Sequence, residues 1–172
     1  VADPRHFAKG KMMELDLYLI AKWIHILSST VLFGTGIGTA FQMVWAWRSQ
    51  NPQTIADVSG GVVIADWLFT TPAGLVQPLS GLALIALQGW SLNAPWLLAT
   101  YALYGLAFIC WAPVVHLQIR IRNLARTAAQ NNAPLPPEAR RAFHLWFALG
   151  WPAFAALVAI FWLMISKPDL GF

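Results

Sequence analysis

Residues Phe143–Ile165 read FHLWFALGWPAFAALVAIFWLMI and contain one ionisable side chain, His144. A run this long and this apolar is enough to cross a hydrocarbon core about 30 Å thick, which takes roughly 20 helical residues. Three further stretches have the same overall character: Leu17–Trp47, Val62–Gln88 and Pro95–Ile119. In lipid, each backbone N–H and C=O must find its partner within the segment, so each stretch reads as a helix. The sequence therefore predicts an all-α protein, a four-helix transmembrane bundle running up-down-up-down, with helices over about 17–47, 62–88, 95–121 and 141–166. Residues 14–172 form a single domain in this reading. Residues 1–13 are set apart as a tail or an appended remnant, and no cleavable signal peptide is expected, because the first apolar run is too long and lacks a small-x-small exit.

Composition supports the same class. The 172-residue chain is 58% hydrophobic and only 10% charged, with a mean hydropathy of +0.58. A soluble domain carries about 25% charged residues, which this chain could not spread over a water-exposed surface. The formal charge of +4 does not imply a nucleic-acid partner. Six of the basic residues, Arg48, Arg120, Arg122, Arg126, Arg140 and Arg141, flank the first and third connections, where a membrane protein keeps cytoplasmic charge. That places both termini on the outer, periplasmic side. Trp23 and Trp45 bracket the first span at a separation of about 33 Å of helix, the spacing of the two interfacial aromatic belts. Cys110 is the single cysteine, so no internal disulfide can form, and it reads as a small buried side chain.

Ionisable groups within a membrane are expensive, and each is a candidate for function. They are Lys22, His25, Asp66, His116 and His144. At helical spacing, Tyr18, Lys22, His25, Ser29 and Gly36 form one stripe; Asp66, Thr70, Gln77, Gly81 and Gln88 form a second; Thr100, Tyr104, Trp111 and Gln118 a third. All three stripes are expected to face the bundle interior. Gly34 and Gly38 make a G-x-x-x-G pattern, expected to seat a neighbouring helix of the same chain.

Depth separates the histidines. His25 lies near the outer belt, while His116 and His144 lie near the inner one, so His25 and His116 are about 25 Å apart along the membrane normal and cannot share one iron in a protomer. His116 and His144 share a depth, and ligation from facing helices is a common way to hold haem in a bundle. Plainer readings compete: a hydrogen bond to a serine or carbonyl for His25, lipid phosphate for His116 and His144, and pairing with the Arg-rich inner face for Asp66, with a proton relay as its sharper alternative.

Three segments carry a resemblance. Lys22–Trp23–Ile24–His25–Ile26–Leu27, then Phe69–Thr70–Thr71–Pro72–Ala73 with Pro78–Leu79–Ser80–Gly81–Leu82, then Leu145–Trp146–Phe147–Ala148–Leu149–Gly150–Trp151–Pro152, resemble a bacterial family of predicted integral membrane proteins of unknown function, over nearly all of Leu17–Pro168. That family in turn resembles the HemJ-type oxygen-independent protoporphyrinogen oxidases and, more distantly, the copper-resistance D membrane proteins. Lys22-x-x-His25 is similar to the first-helix motif of the HemJ type, whose histidine is implicated in binding haem b. Thr71–Pro72–Ala73 with Gly81 is similar to their second helix, and His116 with Arg120 and Arg122 to the end of their third. The lysine they carry early in the third helix is absent after Trp96–Leu97, and their fourth-helix Arg…Asn-Glu group is replaced by Trp146, Leu149 and Gly150.

The resemblance implies a shared fold and a haem b, with His25 as iron ligand, Lys22 and His116 as further cofactor-binding candidates, and a redox or electron-transfer role. His144 joins the cofactor-binding candidates through the depth it shares with His116. The missing polar residues argue against protoporphyrinogen oxidase activity. The alternatives are a non-catalytic membrane subunit that scaffolds a larger complex and a transporter for copper or another small solute. The expected partners are the lipid bilayer and either further copies or other membrane subunits. The expected location is the bacterial inner (cytoplasmic) membrane.

Overall fold

The computed structural model describes residues 4–170, with side chains from Met13 onward. Five α-helices follow one another: α1 Pro4–Arg48, α2 Pro52–Ala65, α3 Thr71–Gln88, α4 Pro95–Gln130 and α5 Pro137–Ser166. A π-helical turn over Asp66–Thr70 joins α2 to α3, so that Pro52–Gln88 is one continuous rod. Four rods are long and apolar enough to cross a membrane, and no strand occurs among the described residues. The protein is a four-helix transmembrane bundle.

The rods outrun the expected spans, mostly at the arginine-rich end. The polar stretch after Arg48 is largely helix: Asn51 caps α2, its Oδ1 accepting the Thr54 N–H at 3.0 Å, and Pro52 sits at the first helical position. An Asn followed by Pro is an N-terminal helix signal, because the cap replaces one missing acceptor and proline lacks a donor that would be orphaned anyway. α5 likewise opens on Pro137, and α4 runs on to Gln130, leaving only Asn131–Pro136 between them. α1 begins at Pro4, so part of the segment set aside as a tail is helical. α3 stops at Gly89, whose φ of +66° is the left-handed conformation that glycine adopts without a Cβ clash.

Proline explains the π-turn. Pro72 has no N–H to offer the carbonyl one turn back and its ring crowds that carbonyl. Widening the helix by one residue relieves both, and the Thr71 hydroxyl returns a hydrogen bond to the Asp66 carbonyl at 2.8 Å. Pro78 strips the Gly74 carbonyl of its donor in the same way. Here α4 supplies the replacement: Tyr104 OH donates to Gly74 O at 2.5 Å.

The core lies at the arginine-rich end, where Met43, Ala46, Ile55, Ala56, Leu117, Ile121, Ala125, Ala142, Phe143 and Trp146 interlock. Four of these are alanines, small enough for helix backbones to approach closely. A smaller cluster of Ile85, Trp96 and Leu97 closes the opposite end. α1 meets α5 through rings: Trp47 stacks on Phe143 at 4.2 Å between centroids, and Phe33 meets Phe154 and Phe161 at 5.4 and 5.2 Å. Gly34, Gly36 and Gly38 do not seat a neighbouring helix. All three are exposed with open space where a Cβ would be, because α1 packs on α3 through its other face.

Candidate functional site

The second and third stripes face inward as expected over most of their length. Asp66, Thr70, Thr100 and Gln118 are buried, Gln77, Gly81, Tyr104 and Trp111 are half-buried, and only Gln88, at the helix end, is exposed; Ser80, outside the stripes, is buried next to Gly81. The first stripe divides. His25 and Ser29 turn partly inward, while Lys22 and Gly36 are exposed. The Lys22 ammonium lies 5.7 Å from the centre of the Tyr18 ring, within cation–π range. Ser28, outside the proposed stripe, is the buried member of this helix face.

His25 is built into a chain of hydrogen bonds between α1 and α3. Its Nδ1 lies 2.9 Å from Ser80 Oγ and its Nε2 lies 3.1 Å from Gln77 Nε2. Ser28 Oγ donates to Gln77 Oε1 at 2.5 Å, and Ser80 Oγ donates to the Val76 carbonyl at 2.7 Å. Because the Ser80 proton goes to the backbone, Ser80 accepts from His25 Nδ1–H. Nε2 is then the acceptor and takes a proton from the Gln77 amide. Every donor in the chain points the same way, which assigns the tautomer from the whole network. Gly81 makes the approach possible: a Cβ there would stand 3.3 Å from His25 Cε1. The plain reading of His25 as a hydrogen-bonded histidine is thus realised, with partners 52 and 55 residues away.

A cavity of about 30 Å³ lies just below, lined by Ser29, Leu32, Phe33, Gln77 and Tyr104 together with α5. It is large enough for a water molecule, which needs about 10–15 Å³ and a few polar partners. An open groove of about 240 Å³ runs along the outer seam of α1 and α3, lined by Ile24, Leu27, Ser28, Val31, Phe69 and Pro72 among others.

Asp66 does not pair with the arginines. It is 4% exposed and lies about 21 Å of helix beyond Pro52, deep in its rod. Thr70 Oγ1 donates to its Oδ1 at 2.8 Å, and the Gln118 side chain of α4 reaches its carboxyl. Gln118 was picked out only as the last member of a stripe; a buried glutamine opposite a buried aspartate is a pairing that spacing along one helix cannot show. His116 and His144 are both exposed, on α4 and α5 near the arginine-rich end. Among the described residues, no three His, Cys, Asp or Glu side chains gather as a metal-ligand group.

Residues 19–168 match a family described as predicted integral membrane protein (DUF2269). The chain belongs to that family. The match spans all four rods and both ends of the His25 network. No curated protein and no solved structure matches.

Proposed function

We propose that the chain is a haem-b-binding protein of the bacterial inner membrane with a redox or electron-transfer role, and that His25 is the iron ligand. The observation that carries this reading is the hydrogen bond from Nδ1 to Ser80. A metal-ligating imidazole needs its second nitrogen fixed by an outer partner, which sets ring orientation and raises ligand basicity. Ser80 provides that partner and leaves Nε2 facing a single side-chain amide, Gln77. His25 would therefore hold a haem iron through Nε2, with Ser80 fixing the ring. The cavity of about 30 Å³ beside it is far below the roughly 300 Å³ at which small-molecule pockets begin. The groove of about 240 Å³ along the outer seam of α1 and α3 is the larger opening, and a porphyrin there would require His25, which does not line it, to turn outward. A bound haem supplies one-electron chemistry, its potential tuned by the axial ligand and burial. In this reading Gln77 gives up its bond to Nε2, Ser80 holds the ring, and Lys22, one turn toward the outer end, supplies a point charge for a propionate.

The absorption spectrum of the full chain, purified from a haem-replete host, tests this. A Soret band is expected, lost in His25→Ala and weakened less in Lys22→Ala. Full haem in His25→Ala together with loss in His116→Ala or His144→Ala moves the site to the inner pair.

A second reading is a membrane subunit without cofactor, assembled with other subunits. The complete hydrogen bonding of His25 within the chain favours it, since a satisfied imidazole needs no further ligand. A wild-type spectrum with no Soret band selects it.

A further inference from the structure

The arginine-rich half of the bundle holds two buried acceptors that lack a donor. Asp66 Oδ2 and Gln118 Oε1 have no hydrogen-bond partner, although the two residues are 4% and 3% exposed and their side chains meet across α2 and α4. Unpaired acceptors in a hydrocarbon-embedded interior cost free energy. Asp66 also opens the π-turn, and its carbonyl accepts both the backbone N–H and the hydroxyl of Thr71.

Among the described residues no ion pair to Asp66 is formed, and the cation nearest along α4 on the Gln118 side is Arg122, one turn on. α1 has no titratable or charged residue between His25 and Arg48, and the α2–α3 rod has only Asp57, which is exposed, besides Asp66 itself. On α4, Tyr101, His116, Arg120 and Arg126 are exposed and Arg122 lies by Gly60 near the inner end. Tyr104 and Cys110 are turned inward on α4, but Tyr104 gives its proton to Gly74. α5 contributes Glu138, Arg140, Arg141 and His144, all exposed. An ionised Asp66 would be a buried charge without an ion-pair partner among the described residues.

We propose that Asp66 and Gln118 form a proton-binding site buried in the arginine-rich half of the bundle, in which one proton on the Asp66 carboxyl is shared with the Gln118 carbonyl oxygen. A proton on the carboxyl satisfies both orphan acceptors at once; a bridging water would leave the carboxylate ionised, and infrared spectroscopy separates the two. The proton turns Oδ2 into a donor, and the Gln118 amide has only to present Oε1 to it. Thr70 continues to donate to Oδ1. The proton arrives from water and returns to it, with no other bond made or broken. The site is independent of haem: it lies well inward of His25, on different residues.

Infrared spectroscopy of the full chain in lipid nanodiscs at pH 7 tests it. The expected result is a protonated-carboxyl C=O band that shifts in D₂O, disappears in Asp66→Asn and moves to higher frequency in Gln118→Leu, which removes the acceptor. Asp57→Asn leaves the band in place. Solid-state NMR of protein with ¹³C-labelled aspartate needs no variant, and shows one protonated side-chain carboxyl. Carboxylate signals alone from pH 5 to pH 9, or loss of the band in Asp57→Asn, overturns the proposal.

Discussion

His25 Nδ1 and Ser80 Oγ stand 2.9 Å apart, although 55 residues separate them in the chain. The contact ties α1 to α3 and sets which imidazole nitrogen is left for a ligand. Ser80→Ala leaves a polar nitrogen without its partner and is expected to cost about 0.5–2 kcal/mol in thermal unfolding in detergent. Gly81→Ala places a methyl 3.3 Å from the ring and is expected to displace it, with Gly81→Val more disruptive. If haem is bound, both variants lower the Soret absorbance per protein. Unchanged stability and spectrum in Ser80→Ala would remove the network from the site.

The pairing of Tyr104 with the Gly74 carbonyl makes a prediction that depends on a proline. Tyr104→Phe strands that carbonyl and is expected to destabilise the bundle by about 1 kcal/mol. In a Pro78→Ala background the carbonyl regains its helical donor from residue 78, so the same tyrosine substitution is expected to cost less. A double-mutant cycle on thermal stability measures the difference. Equal cost in both backgrounds would show that the hydroxyl does not serve the proline.

Lys167 ends α5 in a left-handed conformation, φ +42°, with its ammonium 4.5 Å from the Trp90 ring centre and 5.7 Å from that of Trp96. Those contacts offset the backbone strain and fasten the end of α5 to the turn between α3 and α4. Lys167→Ala keeps the strain and loses the cation–π attraction, and is expected to destabilise by roughly 1 kcal/mol. Lys167→Gly loses the same attraction but relieves the strain, so it is expected to be the milder change. Tryptophan fluorescence during thermal unfolding ranks the two, and the opposite order would refute the explanation.

Six of the seven arginines cluster at the end of the bundle where α1 meets α2 and α4 meets α5. That end is expected to be cytoplasmic. In a Cys110→Ala background, a membrane-impermeant thiol reagent added to intact cells is expected to label Leu170→Cys and spare Asn131→Cys. The reverse pattern inverts the topology.

What the sequence determined by itself was the class of molecule: four apolar runs, each long enough to span, leave a helical bundle as the arrangement that satisfies every backbone group in lipid. It also determined that the polar stripes of the second and third rods turn inward, because helical spacing alone puts Asp66 with Thr70 and Tyr104 with Gln118 on one face. The second span expected from the sequence starts near residue 62, whereas α2 begins at Pro52; the Asn51–Pro52 cap is the local signal for that earlier start. Partnership across rods was decided only by the tertiary structure. Rotation of α1 about its axis left Lys22 and the glycines outside and brought Ser28 in, a matter of a few tens of degrees that an apolar helix does not record in its sequence. The register between rods decided that His25 meets Gln77 and Ser80, that Tyr104 meets the carbonyl freed by Pro78, and that Asp66 faces Gln118 instead of an arginine. In a bundle whose surface and core are both apolar, hydrophobicity cannot choose that register; close packing of small residues and the pairing of the few buried polar groups do.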